Sequence, residues 1–135
     1  MILGFDPGRD KCGIAVMNSA HQIVYHQVVD SKLALAEMEN LSRQFEIKLI
    51  VMGNLTTAKS WRQQIESELS LPIPLVMVDE NNSSFEARER YWQMYPPQGL
   101  KKLIPQGMRV PPRPVDDLVA ILLIERYLAT SEYGQ

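Results

Sequence analysis

Apolar positions along the chain repeat with two different periods, and the switch between them sets the order of elements. Ile2–Asp6 is a short apolar run closed by Asp6-Pro7-Gly8, where proline and glycine force a turn. Residues 13–17 and 23–29 are two more strand-like runs, separated by a polar stretch of hairpin length around Asn18-Ser19-Ala20-His21. Three strands in such close succession predict an antiparallel meander. After Asp30-Ser31, which offers an N-cap, Ala34, Met38, Leu41 and Phe45 recur at helical spacing and mark one apolar face. Residues 48–52, stopped by Gly53, return to a strand pattern. Residues 57–70 read as a helix, with Trp61, Ile65 and Leu69 one turn apart.

The run 74–78 is apolar throughout and predicts a strand covered on both faces. Ser83-Ser84-Phe85-Glu86 has the form of a capping box opening a helix to about Met94. Residues 96–114 contain six of the nine prolines, so an extended, stiffened loop without regular structure is expected there. An irregular stretch of that length inside a compact domain is usually functional or disordered. The last helix, 115–130, is apolar almost all round and must be packed on more than one side. The later strands are separated by single helices, which requires right-handed crossovers and parallel pairing. The expected architecture is α/β, with a mixed five-stranded sheet flanked by helices.

Length sharpens this picture more than composition does. A chain of 135 residues suits one domain spanning 1–135 and buries roughly two-thirds of its unfolded surface, so it needs no covalent staple. Cys12 is the single cysteine, which excludes an intrachain disulfide and a cysteine-based zinc site. No apolar run reaches the roughly 18 residues that span a bilayer, and the first strand starts at Met1–Ile2, leaving no signal peptide. A soluble, cytoplasmic protein is expected.

The net charge of −2 hides a polarised chain. Between Arg88 and Arg113 six basic residues face one acidic residue, a balance of +5, and the rest carries −7. Such a block attracts a polyanion locally, although a basic loop is by itself commonly just a solvated surface.

In a sheet of this kind, sites lie beyond the carboxyl ends of the parallel strands. Asp6 ends the first strand, Asp79-Glu80 follows the last, and Asp116-Asp117 opens the final helix. Carboxylates brought together repel one another and call for a cation. Oxygen ligands without a His or Cys cluster favour Mg²⁺ or Mn²⁺. Taken singly, each acid also has a structural explanation, as a turn residue or as charge at a helix N-terminus. Their joint placement carries the argument. Tyr91 and Tyr95 are spaced for core packing, His21 and His26 face opposite sides of one strand, and Cys12 reads as structural.

These segments resemble a known family. Asp6-Pro7-Gly8-Arg9-Asp10-Lys11-Cys12-Gly13-Ile14-Ala15 is similar to the DxGxxxxG-I-A opening of the YqgF/RuvX family of ribonuclease-H-like proteins. Asp79-Glu80-Asn81-Asn82-Ser83-Ser84-Phe85-Glu86-Ala87 resembles its DERxS/TxxEA segment, and the stretch from Val115-Asp116-Asp117 to Leu123 its closing helix. The resemblance implies a three-layer ribonuclease-H-like fold and hydrolysis of phosphodiesters with divalent metal. The substrate would be structured RNA, as in precursor 16S ribosomal RNA 5′-end processing, or branched DNA, as in Holliday junction resolution. Asp6, Glu80 and Asp116 would be the catalytic metal ligands. Asp117 could supply a fourth carboxylate, but successive residues on a helix point about 100° apart. Arg9, Lys11, Lys101, Lys102, Arg109 and Arg113 would contact nucleic acid.

The sequence departs from the family at Lys11 and Asn81, where arginine is usual, and in a longer, more basic loop. A non-catalytic nucleic-acid-binding module on the same fold stays open. The third reading, a nucleotide-binding ATPase with a similar first turn, would need a second lobe that this length cannot supply. A junction cutter would also need two sites, hence a homodimer.

Overall fold

The computed structural model describes residues 1–55, 57–70, 72–105 and 108–133. Strands β1 (Ile2–Asp6), β2 (Lys11–Met17), β3 (Ile23–Asp30), β4 (Leu49–Gly53) and β5 (Leu75–Val78) form one sheet in the order β3-β2-β1-β4-β5. The first three strands make the expected antiparallel meander, β4 adds in parallel beside β1, and β5 in parallel beside β4. The hairpin between β2 and β3 is shaped by Asn18, whose Oδ1 accepts from the Ala20 and Gln22 amides at 3.0 and 2.9 Å.

Four helices cover the sheet: α1 (Ala34–Gln44), α2 (Ala58–Glu68), α3 (Ser83–Met94) and α4 (Asp116–Tyr133). Helices α1 and α2 lie on one face, where Ala34, Met38, Leu41 and Ile65 pack on Leu3, Phe5, Ile14 and Met52. The Trp61 ring meets Phe5 edge-on, with centroids 5.1 Å apart. Helices α3 and α4 lie on the other face, where Ala87, Tyr91, Leu118 and Ile121 join Ala15 and Val51. Because α4 contacts both the sheet and α3, its nearly uniform apolar surface is buried. Among the described residues, no helix is long and apolar enough to cross a membrane.

Three local expectations are corrected. The run 74–78 gives the edge strand β5. Side chains on each of its faces pack against a core, but Val76, Met77 and Val78 remain half-buried because no strand lies beyond. The capping box does not form: Asn82 precedes α3 in the left-handed region at φ 61° without a side-chain cap, and Ser83 is buried in the first turn. The corner before α3 is held instead by Arg126 of α4, which donates to the Asp79 and Asn81 carbonyls at 2.7 and 2.8 Å and to Glu86 at 3.0 Å. The proline-rich loop, finally, contains a 3-10 helix at Gly99–Leu103. Residues 106 and 107 of that loop lie outside the described residues.

Candidate active site

The pleat of β1 sends Leu3 and Phe5 toward α1 and α2, so Asp6 points to the opposite face, under α4. The turn after it is tied down by Cys12 and Ser31. The Gly8 amide donates to Cys12 Sγ at 3.4 Å, and Ser31 Oγ donates to the Gly8 carbonyl at 3.0 Å. Cys12 is thus a packed structural residue, and burial pushes its thiol pKa up. Glu80 lies just past the end of β5, and its amide donates to Asn54 Oδ1 at 3.4 Å. Asp116 is the first residue of α4.

The three acids meet at Asp6. Burial, reinforced by the adjoining carboxyls of Glu80 and Asp116, raises the Asp6 carboxyl to about 9. Burial also pushes Asp116 up, partly offset by its hydrogen bond to Asp6. Asp6 and Glu80 are buried, and Glu80 Oε2 is a buried oxygen with no hydrogen-bond partner.

Two glycines make this crowding possible. A Cβ at Gly13 would overlap the backbone of Asp116, and a Cβ at Gly53 would overlap the carboxyl of Glu80. The strand pattern alone reads these glycines as motif and stop signals. Their position inside or at the end of a strand was the available sign of a close approach.

The chemistry of the donor set suits a hard divalent cation: all three groups are carboxylates, and one buried oxygen lacks a partner. Among the described residues, however, no group of three or more His, Cys, Asp or Glu side chains is spaced as a metal cage. The acids converge on Asp6 rather than around a common centre.

Asp117 faces elsewhere. It is 2% exposed, lies 2.7 Å from His26 Nδ1, and receives two hydrogen bonds from Arg113 at 3.0 and 3.4 Å. Its oxygens are thereby occupied within the protein. This His26–Asp117–Arg113 network, joining residues 91 apart in the chain, escaped the sequence reading. Alternation along β3 placed His26 on a face but not against a partner.

The six proposed basic contacts divide. Arg9, Lys11, Lys101 and Lys102 are exposed and make no ion pair among the described residues. Arg113 is bound to Asp117 and lies 5.5 Å from the centre of the Tyr91 ring. Arg109 donates to the Lys101, Lys102 and Ile104 carbonyls and lies 6.0 Å from the centre of the Trp92 ring. Tyr91 and Trp92 are buried, whereas Tyr95 is exposed.

With this geometry described, comparison with solved structures places the architecture. A Thermus thermophilus RuvC in complex with a Holliday junction substrate matches with a TM-score of 0.60 at 13% identity, over 98% of this chain and 95% of that one. A second T. thermophilus RuvC structure matches with a TM-score of 0.58 at 12% identity, over 99% and 96%. The fold is ribonuclease-H-like. No protein-family model and no curated protein sequence matches the chain. At this level of identity the likeness concerns the ribonuclease-H-like scaffold, and the chemistry must be argued from the residues themselves.

Proposed function

We propose that this protein is a divalent-metal-dependent endonuclease that hydrolyses phosphodiester bonds of structured nucleic acid, in the manner implied by its resemblance to the YqgF/RuvX family. The observation that carries this reading is the contact of Asp6 with both Glu80 and Asp116 at the carboxyl ends of β1 and β5 and the start of α4. The ribonuclease-H-like fold and the junction-bound RuvC neighbour support a nucleic-acid substrate. Precursor 16S ribosomal RNA and Holliday junctions are the two substrates to test, and a homodimer would present two sites to a junction.

Asp6, Glu80 and Asp116 would hold Mg²⁺ or Mn²⁺ by their carboxylate oxygens. Such ions, when bound, activate water and stabilise the attacking and leaving oxygens of an in-line displacement. The protein's part is to keep the three carboxyls together in a largely water-excluded recess, with α4 pressed onto Gly13 and Glu80 seated over Gly53. Arg9, Lys11, Lys101 and Lys102 offer exposed charge to the phosphate backbone, which predicts salt-dependent binding.

The deciding experiment titrates Mg²⁺ and Mn²⁺ into the wild type and Asp6→Asn, with junction DNA and structured RNA as substrates. Asp6→Asn is expected to fold and bind nucleic acid while losing cleavage by roughly a hundredfold or more, the scale of lost transition-state electrostatics. Metal-dependent cleavage retained in that variant overturns the assignment. The pairing of Asp117 away from the acid cluster and the absence of a ready metal cage among the described residues favour one second reading, a non-catalytic binding module. Equal binding with and without metal, and no products, would select it.

A further inference from the structure

The sheet ends on two unlike edges. β3 is eight residues long, and its Gln27 and Asp30 are exposed. β5 is a run of four apolar residues with no charge among them, although charged side chains are a common guard on a strand edge. Ile50 lies opposite Leu75, and its amide donates to the Pro74 carbonyl at 2.9 Å. In a parallel ladder this pattern turns the amide and carbonyl of Val76 toward β4 and those of Leu75 and Met77 toward the open edge.

Each face of that edge is hollow. Toward α2 a cavity of about 500 Å³ is lined by Ile65, Leu69, Ile73 and Leu75. Toward α4 a cavity of about 710 Å³ is lined by Val76, Val78, Tyr127 and Ala129. Outward-facing backbone groups between two apolar hollows match an extended chain, whose side chains alternate between the same two faces.

We propose that β5 is a docking edge for an extended segment of a partner protein, apolar at successive positions and ending in a lysine or arginine. The segment adds to the five-stranded sheet as a further strand, pairing with the backbone of Leu75 and Met77 and filling both hollows with alternate side chains. Charge places its basic residue. Asp79, just past the strand, is exposed and makes no ion pair among the described residues. The cations beside the hollows are already held, Arg62 by Glu66 and Arg126 by Glu86 with the Asp79 and Asn81 carbonyls. This leaves a carboxylate to be matched, which favours a basic peptide over a nucleic acid.

A second copy of the chain fits less well. Four residues extend about 13 Å at about 3.3 Å each, whereas a stable dimer buries about 800 Å² per partner. Isologous pairing would also set hollow against hollow and Asp79 of each copy near the same edge, with nothing to fill the one or balance the other. The edge includes none of Asp6, Glu80 and Asp116, so the proposal stands apart from the nuclease reading.

The test uses the full chain, isotopically labelled, and a synthetic peptide, Lys-Val-Leu-Val-Leu-Lys, blocked at both ends. The peptide is expected to slow amide hydrogen exchange at Leu75 and Met77 by about tenfold or more, while Val76 and Val78, already bonded to β4, change little. Methylating the peptide nitrogens along one edge keeps its side chains and removes its donors, and should weaken binding about tenfold. Ala129→Trp, at an exposed site, fills the hollow under α4 and should weaken binding by as much. Asp79→Asn should cost about threefold with the lysine peptide and nothing with a glutamine peptide. Melting curves check that each variant folds, and should Ala129→Trp fail, the methylated peptide and Asp79→Asn carry the test.

Unchanged exchange at Leu75 and Met77 with the peptide at about 1 mM overturns the docking edge, as does binding indifferent to methylation. Protection of the same two amides in the peptide-free protein that vanishes on dilution would assign the edge to a second copy and overturn it too. So would protection by duplex DNA in place of the peptide.

Discussion

Along β1, Leu3 and Phe5 point toward α1 and α2, whereas Gly4 and Asp6 point toward α4. The same alternation continues on β2, where Ile14 and Val16 face one layer and Gly13 and Ala15 the other. On β4, Ile50 and Met52 oppose Val51 and Gly53. One face of the sheet is therefore filled by bulky side chains. The other carries Gly4, Gly13 and Ala15 beneath α4, so that α4 lies close and brings Asp116 to Asp6. Stability and chemistry are divided by the two-residue period of the pleat. A residue's parity along its strand says which kind of damage its replacement should cause.

The largest expected effect on stability comes from the bulky face. Phe5→Ala removes a fully buried ring packed against Trp61 and should cost about 3–5 kcal/mol in denaturant unfolding. Cleavage per folded molecule should be nearly unchanged, and its specific loss would break the proposed division. Gly53→Ala should show the reverse signature. Its methyl displaces the Glu80 carboxyl, and a misplacement of about 1 Å at a reacting centre costs roughly a hundredfold in rate. Kinetics together with a melting curve distinguish this local loss from general unfolding.

The subtlest effect is a pH slope. The Asp6 carboxyl lies at about 9 in the folded protein and near 3.9 in an unfolded chain, so the folded state holds an extra proton between those values. That contribution is fully present below about pH 4 and is lost as pH rises through 9. Metal-free protein should therefore melt progressively lower from pH 5 to 9. Asp6→Asn should melt higher than wild type at pH 8 and show a flatter profile. Identical profiles for the two proteins would mean that the crowding of carboxyls costs the fold nothing.

The element order and sheet architecture could be read from the chain because periodicity and turn chemistry act locally. Asp6 before Pro7-Gly8 and Asp116 at the opening of an apolar helix were visible for the same reason. The commitments of the remaining polar groups were not. Arg109 folds back on its own loop, Arg113 closes on Asp117, and His26 meets Asp117 from a distant strand. A basic residue looks alike in the sequence whether it faces a phosphate or a carbonyl. The edge position of β5 was hidden too, because its side chains serve a core on each face and so mimic an interior strand.

Arg126 has a mechanical consequence. By gripping the carbonyls of Asp79 and Asn81, it harnesses the corner that bears Glu80 to the helix whose first residue is Asp116. Two of the three acids thus ride on one lever, while the third is anchored in the sheet. A small tilt of α4 would open or shut the gap to Asp6 from both sides at once.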